Sequence, residues 1–453
     1  MKYRILFLAA ILACSTSHAL TVRDALIGAY KNNQELLTTR QAVIASHEKI
    51  VQAKGGFRPK VDAKVSGSLS EGMTKSDSDS VHRYDKSKGR NGSVTATQNL
   101  FRGFADKAKV DQTEHEILSS WAQLKDKEQE IFLKVIQAYL NLYAKYATVE
   151  VLKANLATMQ QNYESARTKR GIGEETITQE SLAEAKYAEA QSKLENGLSE
   201  LVAAKATFEQ LTGIAAPERV DNPKELIDVP NSAIELQEIA LRDNPKITQA
   251  VEALAAAKQG KKIYTGQLLP SLDLQASTSK DITEKKSTLQ NTSIKPTTLG
   301  VNNQVGLTLT VPLYEQGVTR SQRRQASETI VQNRINIEKV KQELVRDCKQ
   351  AYRAYMAAKT NMVSTGKQVK AQEVAVDGTT QELAVGTKIM FEVLQVQAQL
   401  LEAKLNLINA IQQYYLYLYQ MFLLQGKLTA EGLDLPVEIF RPELNYNEVK
   451  NSF

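Results

Sequence analysis

Val385-Gly386-Thr387-Lys388-Ile389-Met390-Phe391-Glu392-Val393-Leu394-Gln395 interrupts two long helical patterns. A charged pattern of helical period runs into it, and a second runs out of it to end in Tyr414-Tyr415-Leu416-Tyr417-Leu418-Tyr419. Glycine takes φ > 0 with no Cβ clash, so Gly386 is a natural stop for the first helix. The stretch reads as the tip of a helical hairpin. Gly171-Ile172-Gly173-Glu174-Glu175-Thr176-Ile177-Thr178-Gln179 repeats the plan, with Gly173 standing 213 positions before Gly386. One chain builds the same hairpin twice.

The duplication extends outward from the tips. Asn33 and Asn244, Pro59 and Pro270, and Asp62 and Asp273 are each 211 apart. Leu100-Phe101 and Leu313-Tyr314 are 213 apart, as are Ala138-Tyr139 and Ala351-Tyr352. Two copies of about 210 residues are too long and too few for a solenoid. The organisation expected is a first repeat over 20–212, a linker over 213–231 with Pro217, Pro223 and Pro230, a second repeat over 232–428, and a tail over 429–453. The tail has no clear period and is expected near the middle of the helical stack or without order.

Long helices are expected over 104–169 and 318–383, each ~100 Å at ~1.5 Å per residue. Heptad rows run through the first: Val135, Leu142, Val149, Leu156, Tyr163, and Ala138, Lys145, Leu152, Met159, Ala166. Strict sevens mean coiled-coil packing, and only Lys145 breaks the apolar rows. Return helices over about 174–212 and 392–427 are shorter. N-terminal helices over 22–54 and about 232–266 would make up the length by stacking end to end.

Between these helices the period changes to two. Phe57, Pro59, Val61, Ala63, Val65, Gly67 and Leu69 alternate with Arg58, Lys60, Asp62, Lys64, Ser66, Ser68 and Ser70. Strands are predicted over 57–70 and 91–101, with a polar loop over 71–90. The second copy places them over 268–278 and 302–314. A soluble sandwich with one wet face is the ordinary reading. Four strands cannot close a membrane barrel alone, since single-chain barrels start near eight, but several copies together could.

Residues 1–19 read as an export signal: Lys2 and Arg4, an apolar core over 5–13, then Ser17-His18-Ala19. Lipidation at Cys14 is the rival reading. Losing Lys2 and Arg4 takes the formal charge from +6 to +4, too little for nucleic-acid binding. Cys348 then remains alone, which leaves no internal disulfide. No later apolar run approaches the ~18–20 residues of a membrane helix, so a membrane form must be a barrel. His47, His82 and His115 are isolated, and no phosphate loop, zinc motif or nucleophile elbow is present. Neither enzyme chemistry nor a cofactor is expected.

The ordered set of motifs resembles the TolC family of outer-membrane efflux and secretion channels of Gram-negative bacteria. It is carried by Asn-x-x-Leu/Ile at Asn33–Leu36 and Asn244–Ile247, Pro-x-x-Asp at Pro59–Asp62 and Pro270–Asp273, Val311-Pro312-Leu313-Tyr314 before Gly317, and Val385-Gly386-Thr387. The resemblance implies a mixed α and β membrane protein. Three chains close one 12-stranded barrel in the outer membrane, with Val61, Val65, Leu307 and Leu309 towards lipid. Their coiled-coil helices continue as a periplasmic α-barrel. The function implied is a passive exit duct for small-molecule efflux or type I protein secretion, opened by an inner-membrane pump of RND or ABC type through a periplasmic adaptor. The family's two acidic gate positions fall on Glu392 and Gln395, of which only the first keeps a charge. Its tip lock falls on Lys388, with Leu383, Thr178 and Gln179 where Tyr and Asp are usual, so a weaker lock is expected. Gly173, Glu174, Gly386 and Thr387 form the tips implied to meet the adaptor. The competing reading is a periplasmic coiled-coil adaptor or surface structural protein without a pore. Adaptors carry one hairpin flanked by small β domains, so the duplicated strands favour the channel.

Overall fold

The computed structural model describes residues 20–75, 82–221, 229–289 and 292–452. The export signal expected at 1–19, with Cys14, lies outside the described residues. Two compact units are present: Met1–Arg40, Leu124–Pro245 and Lys341–Phe440 form one, and Gln41–Gln123, Lys246–Val340 and Arg441–Phe453 form the other.

Each repeat runs helix, helix, two long strands, long helix, return helix. The first copy holds α1 (Val22–Asn32), α2 (Gln34–Lys54), a 3-10 turn (Gly55–Phe57), β1 (Lys60–Lys75), β2 (His82–Arg102), α3 (Ala105–Gly171) and α4 (Ile177–Thr212). The second holds α5 (Ala233–Asp243), α6 (Pro245–Gly266), β3 (Ser271–Leu289), the short β4 (Thr292–Ile294), β5 (Thr297–Thr310), α7 (Val318–Ala384) and α8 (Met390–Leu424). A last helix, α9, spans Pro442–Asn451.

The first-unit core contains Leu26, Phe132, Tyr139, Phe208 and Tyr419, all fully buried. Heptad residues Val135, Leu142, Val149, Leu152, Met159 and Ala166 are buried along α3. Lys145, the break in that pattern, reaches Glu200 of α4 at 2.6 Å. Tyr163 stacks on Tyr187 of α4 with ring centroids 5.9 Å apart. The linker is tied down by a parallel bridge between Leu20 and Val220.

The N-terminal helix expected over 22–54 is two helices, broken at Asn33. The asparagine backbone is extended, with ψ at 119°. Its Oδ1 accepts from Leu36 N at 3.1 Å, which caps α2, while its Nδ2 donates to Leu211 O at 2.8 Å near the end of α4. A cap residue offers the helix start an acceptor that its own turns lack. Asn244 breaks the second copy likewise, and its Nδ2 donates to Leu424 O of α8 at 3.0 Å. The repeated Asn-x-x-Leu/Ile motif is thus a joint where three helix ends meet. Gly213 and Gly426 close the adjoining turns at φ 66° and 76°.

In the second unit the long strands form one antiparallel sheet in the order β1-β2-β3-β5, with β4 paired to β3. Their limits differ from those expected. The strand predicted over 57–70 is β1 at Lys60–Lys75, and that over 91–101 is β2 at His82–Arg102. The pair predicted over 268–278 and 302–314 is β3 at Ser271–Leu289 and β5 at Thr297–Thr310. The bases are set by Pro59, Pro270 and Pro312, which lack the N–H a ladder needs. The upper parts, which include most of the loop expected over 71–90, are paired through Lys75↔His82. Backbone hydrogen bonds carry the ladder past the point where apolar alternation stops.

Residues opposite one another across a ladder share a face. One row holds Val61, Ala96, Ala276 and Val305; the next residue along each strand gives Asp62, Thr95, Ser277 and Gln304. The sheet therefore has an apolar and a polar face, and the apolar one is uncovered in the single chain: Val65 is 88% and Val305 77% exposed. A soluble monomer rarely leaves so large an apolar patch in water.

The tail is folded. α9 is held by Lys450 on Glu114 at 2.8 Å and by His47 Nδ1 on Asn445 Oδ1 at 2.7 Å. Trp121 Nε1 donates to His47 Nε2 at 2.9 Å, so both ring nitrogens of this buried histidine are engaged in structure.

Candidate functional site

Both hairpin tips are built by one backbone device. At Gly173, φ is 83°, its N–H donates to Arg170 O at 3.0 Å, and Glu174 N donates to Lys169 O at 2.9 Å. At Gly386, φ is 81°, with Gly386 N on Leu383 O at 3.1 Å and Thr387 N on Glu382 O at 3.0 Å. This paired bonding satisfies the last carbonyls of each long helix and needs a left-handed residue. The tips then diverge. Thr176 caps α4, its Oγ1 accepting from Gln179 N at 3.3 Å. The equivalent of Thr176 is Ile389, which has no side-chain acceptor. There Glu392 reaches back instead, and its Oε2 accepts from Ile389 N at 3.3 Å.

Glu392 Oε1 also pairs with Lys388 Nζ at 2.8 Å. Both side chains are partly exposed. Lys388 beside it, and then the Ile389 amide, hold the Glu392 carboxyl below its ordinary value of 4.5. The same pairing raises Lys388 above 10.5. A carboxylate that accepts two hydrogen bonds is stabilised in its charged form.

The remaining candidates are separated. Leu383 is half-buried and packs, with Leu156, Leu182 and Tyr187, on a small core of Met159, Ala190, Met390 and Leu394. Among the described residues no hydrogen bond joins Lys388 to Thr178, Gln179 or Leu383. Gln395 is exposed one turn beyond Glu392, Thr178 is exposed, and Gln179 is half-buried. Gly173, Glu174, Gly386 and Thr387 are exposed at the turns, flanked by uncovered Ile172, Ile177, Val385 and Ile389. The sequence reading missed the contact between hairpins. Asn162 Nδ2 of α3 donates to Gln397 Oε1 of α8 at 2.8 Å, beside the Met159 and Met390 core. Two amides at coiled-coil positions were the signal available.

No helix among the described residues is long and apolar enough to cross a membrane. The outer membrane efflux protein model matches the chain twice, over residues 27–214 and 236–426. The outer membrane efflux protein BepC of Brucella suis is 27% identical over 435 residues, covering 96% of this chain and 91% of its own. The outer membrane protein TolC of Escherichia coli is 23% identical over 398 residues, covering 84% and 77%. The Campylobacter jejuni CmeC outer membrane channel superposes with a TM-score of 0.74 at 15% identity, covering 95% of this chain and 89% of that one. The chain belongs to the outer membrane efflux protein family, whose members sit in the outer membrane as exit ducts.

Proposed function

We propose that three copies of this chain close a single barrel and tunnel, with Glu392 at its periplasmic mouth. The observation that carries this reading is the open, two-faced sheet. β1 and β5 are its unpaired edges, and they run antiparallel to one another. β5 of one copy can therefore pair with β1 of the next in the same antiparallel sense, and closure removes every edge. Three copies supply 12 long strands, an even number as bacterial barrels have. The apolar face meets lipid and the polar face lines water.

The helices extend into the periplasm. There the Gly173-Glu174 and Gly386-Thr387 turns present the surface for a periplasmic adaptor, which couples the duct to an inner-membrane pump of RND or ABC type. No chain residue performs chemistry; cargo moves passively. Glu392 repeats three times around the axis, and such a ring attracts cations and repels anions. Each carboxylate has Lys388 beside it, so the ring acts on ions at contact range. The Tyr and Asp partners of the usual lock are replaced by Leu383, Thr178 and Gln179. The tip is then held by the core of Met159, Ala190, Met390 and Leu394, while Lys388 pairs only with Glu392 of its own turn.

Single-channel current of the purified protein in a planar bilayer tests this. Uniform steps blocked by a trivalent cation from the tip side are expected, with block lost in Glu392→Gln. Steps with unchanged block in that variant would remove Glu392 from the gate. A helix-rich sample that gives no steps and stays monomeric in mild detergent would favour a non-pore adaptor.

Proton dependence gives a second check. Block requires the ionised carboxylate, whose titration is depressed by Lys388. Wild-type block should be lost as pH falls through the acid range, and at a lower pH than in a chain without the Lys388 partner. In Lys388→Ala the midpoint should rise, and block at neutral pH should tighten by at least about fivefold, the effect of removing a single like charge in water, since the trimer loses three. An unchanged midpoint would mean the pair is not formed in the open channel.

A further inference from the structure

The two faces of the sheet carry different charge, and the difference is confined to one end. From the helix-joined ends upward, the apolar face holds Phe101, Leu272 and Leu309, then Gln98, Leu274 and Leu307, then Val61, Ala96, Ala276 and Val305. No charged residue occurs in these rows. Leu309 and Leu299 bound the band on β5; ten residues apart, they span ~33 Å along the strand and ~25 Å across a bilayer at the usual tilt. Cations begin at its upper edge. Lys280 lies in the row of Val65 and Val301, Arg90 in the row of Ile282 and Leu299, Lys88 beside Glu284, and Lys86 beside Lys286.

All five side chains are exposed. Lys86 is paired with Glu71. Lys88, Arg90, Lys280 and Lys286 take part in no ion pair among the described residues. On this face and at this height the described residues carry five cations against Glu71 and Glu284. The polar face of the same segment is balanced, with Arg83 and Lys285 against Asp85 and Asp281. Solubility alone would not put the excess on the side that faces the bilayer.

We infer that Lys86, Lys88, Arg90, Lys280 and Lys286 form a lateral binding surface for the phosphorylated glycolipid headgroups of the outer leaflet. This rests on the barrel reading, which puts the helices in the periplasm and the strand hairpins outside. Lys280 and Arg90 enter at the edge of the apolar band, where long cationic side chains lay their stems on apolar surface and extend their heads to phosphate. Arg90 offers the forked donor geometry that phosphate oxygens match. The remaining three lie one to two rows higher, at headgroup level.

The full-length protein in mild detergent should be titrated with a diphosphorylated glucosamine-based glycolipid and with its dephosphorylated form, and bound lipid read by native mass spectrometry. The variant is Lys88→Gln/Arg90→Gln/Lys286→Gln, and Lys64→Gln/Lys285→Gln is the polar-face control. Each cation near an anionic lipid surface contributes about fivefold, so the triple variant should bind the phosphorylated lipid at least about tenfold more weakly. The control should bind as wild type does, and the dephosphorylated lipid should bind all three weakly. Equal binding by wild type and triple variant would overturn the inference. So would equal binding of the two lipids, or displacement by equimolar inorganic phosphate. Bilayer conductance of the same samples separates the two claims. Unchanged steps with unchanged lipid binding would remove the lipid surface and keep the barrel, whereas wild type without steps would remove both.

Discussion

Val305→Arg should prevent the protein from reaching the outer membrane as a folded trimer, while Gln304→Arg, one residue away, should not. Val305 lies near the middle of the apolar band, in a row with Val61, Ala96 and Ala276. An arginine facing lipid at mid-depth costs roughly 2–4 kcal/mol per chain, and a threefold barrel carries it three times. Gln304 stands opposite Ser277 on the polar face, where an arginine stays in water. The readout is the fraction of chain recovered as trimer from the outer-membrane fraction. Equal recovery of both variants would contradict the assignment of faces, and loss of Gln304→Arg alone would invert it.

Gly426→Ala should be far more damaging than Gly386→Ala, although both glycines are left-handed, at φ 76° and 81°. At Gly386 an added Cβ meets open space. At Gly426 it would overlap the Asp243 carbonyl and lie 3.2 Å from Asn244 Cα, in the joint where α5, α6 and α8 converge. Left-handed strain costs roughly 1–2 kcal/mol at either site. The overlap at Gly426 adds about 1–3 kcal/mol, because backbone cannot swing aside as a side chain can. Thermal unfolding of the two variants in one detergent isolates the second term. Equal losses would mean that backbone conformation alone governs the site.

The tips, the long helices and the lipid-facing alternation were legible because each is written in local periodicity: sevens in α3, twos at 57–70, glycine at the turns. Strand ends were not. Glu71 onward on β1 and His82 to Arg90 on β2 look like loop because neither face is apolar there, yet the neighbouring strand still completes each backbone hydrogen bond. The break at Asn33 was hidden for a related reason. Its repeat with Asn244 was visible, but its role depends on Leu211, which is 178 residues away. At the tip, the Lys388–Glu392 pair is a local contact between residues four apart. The core around Met159 and Met390 is not, because it joins two hairpins far apart in sequence.

The asparagine joints also decide how the protein responds to pulling. Each repeat pairs an uninterrupted helix of 67 residues with a column interrupted at Asn33 or Asn244. Along α3 and α7 a tensile load is shared turn by turn through a continuous hydrogen-bond ladder. At the joints it passes through a few side-chain bonds, such as Asn33 to Leu211 and Asn244 to Leu424. A load along the axis is therefore borne by the continuous helices, and the interrupted columns beside them yield first at the joints, where only a few side-chain bonds must break.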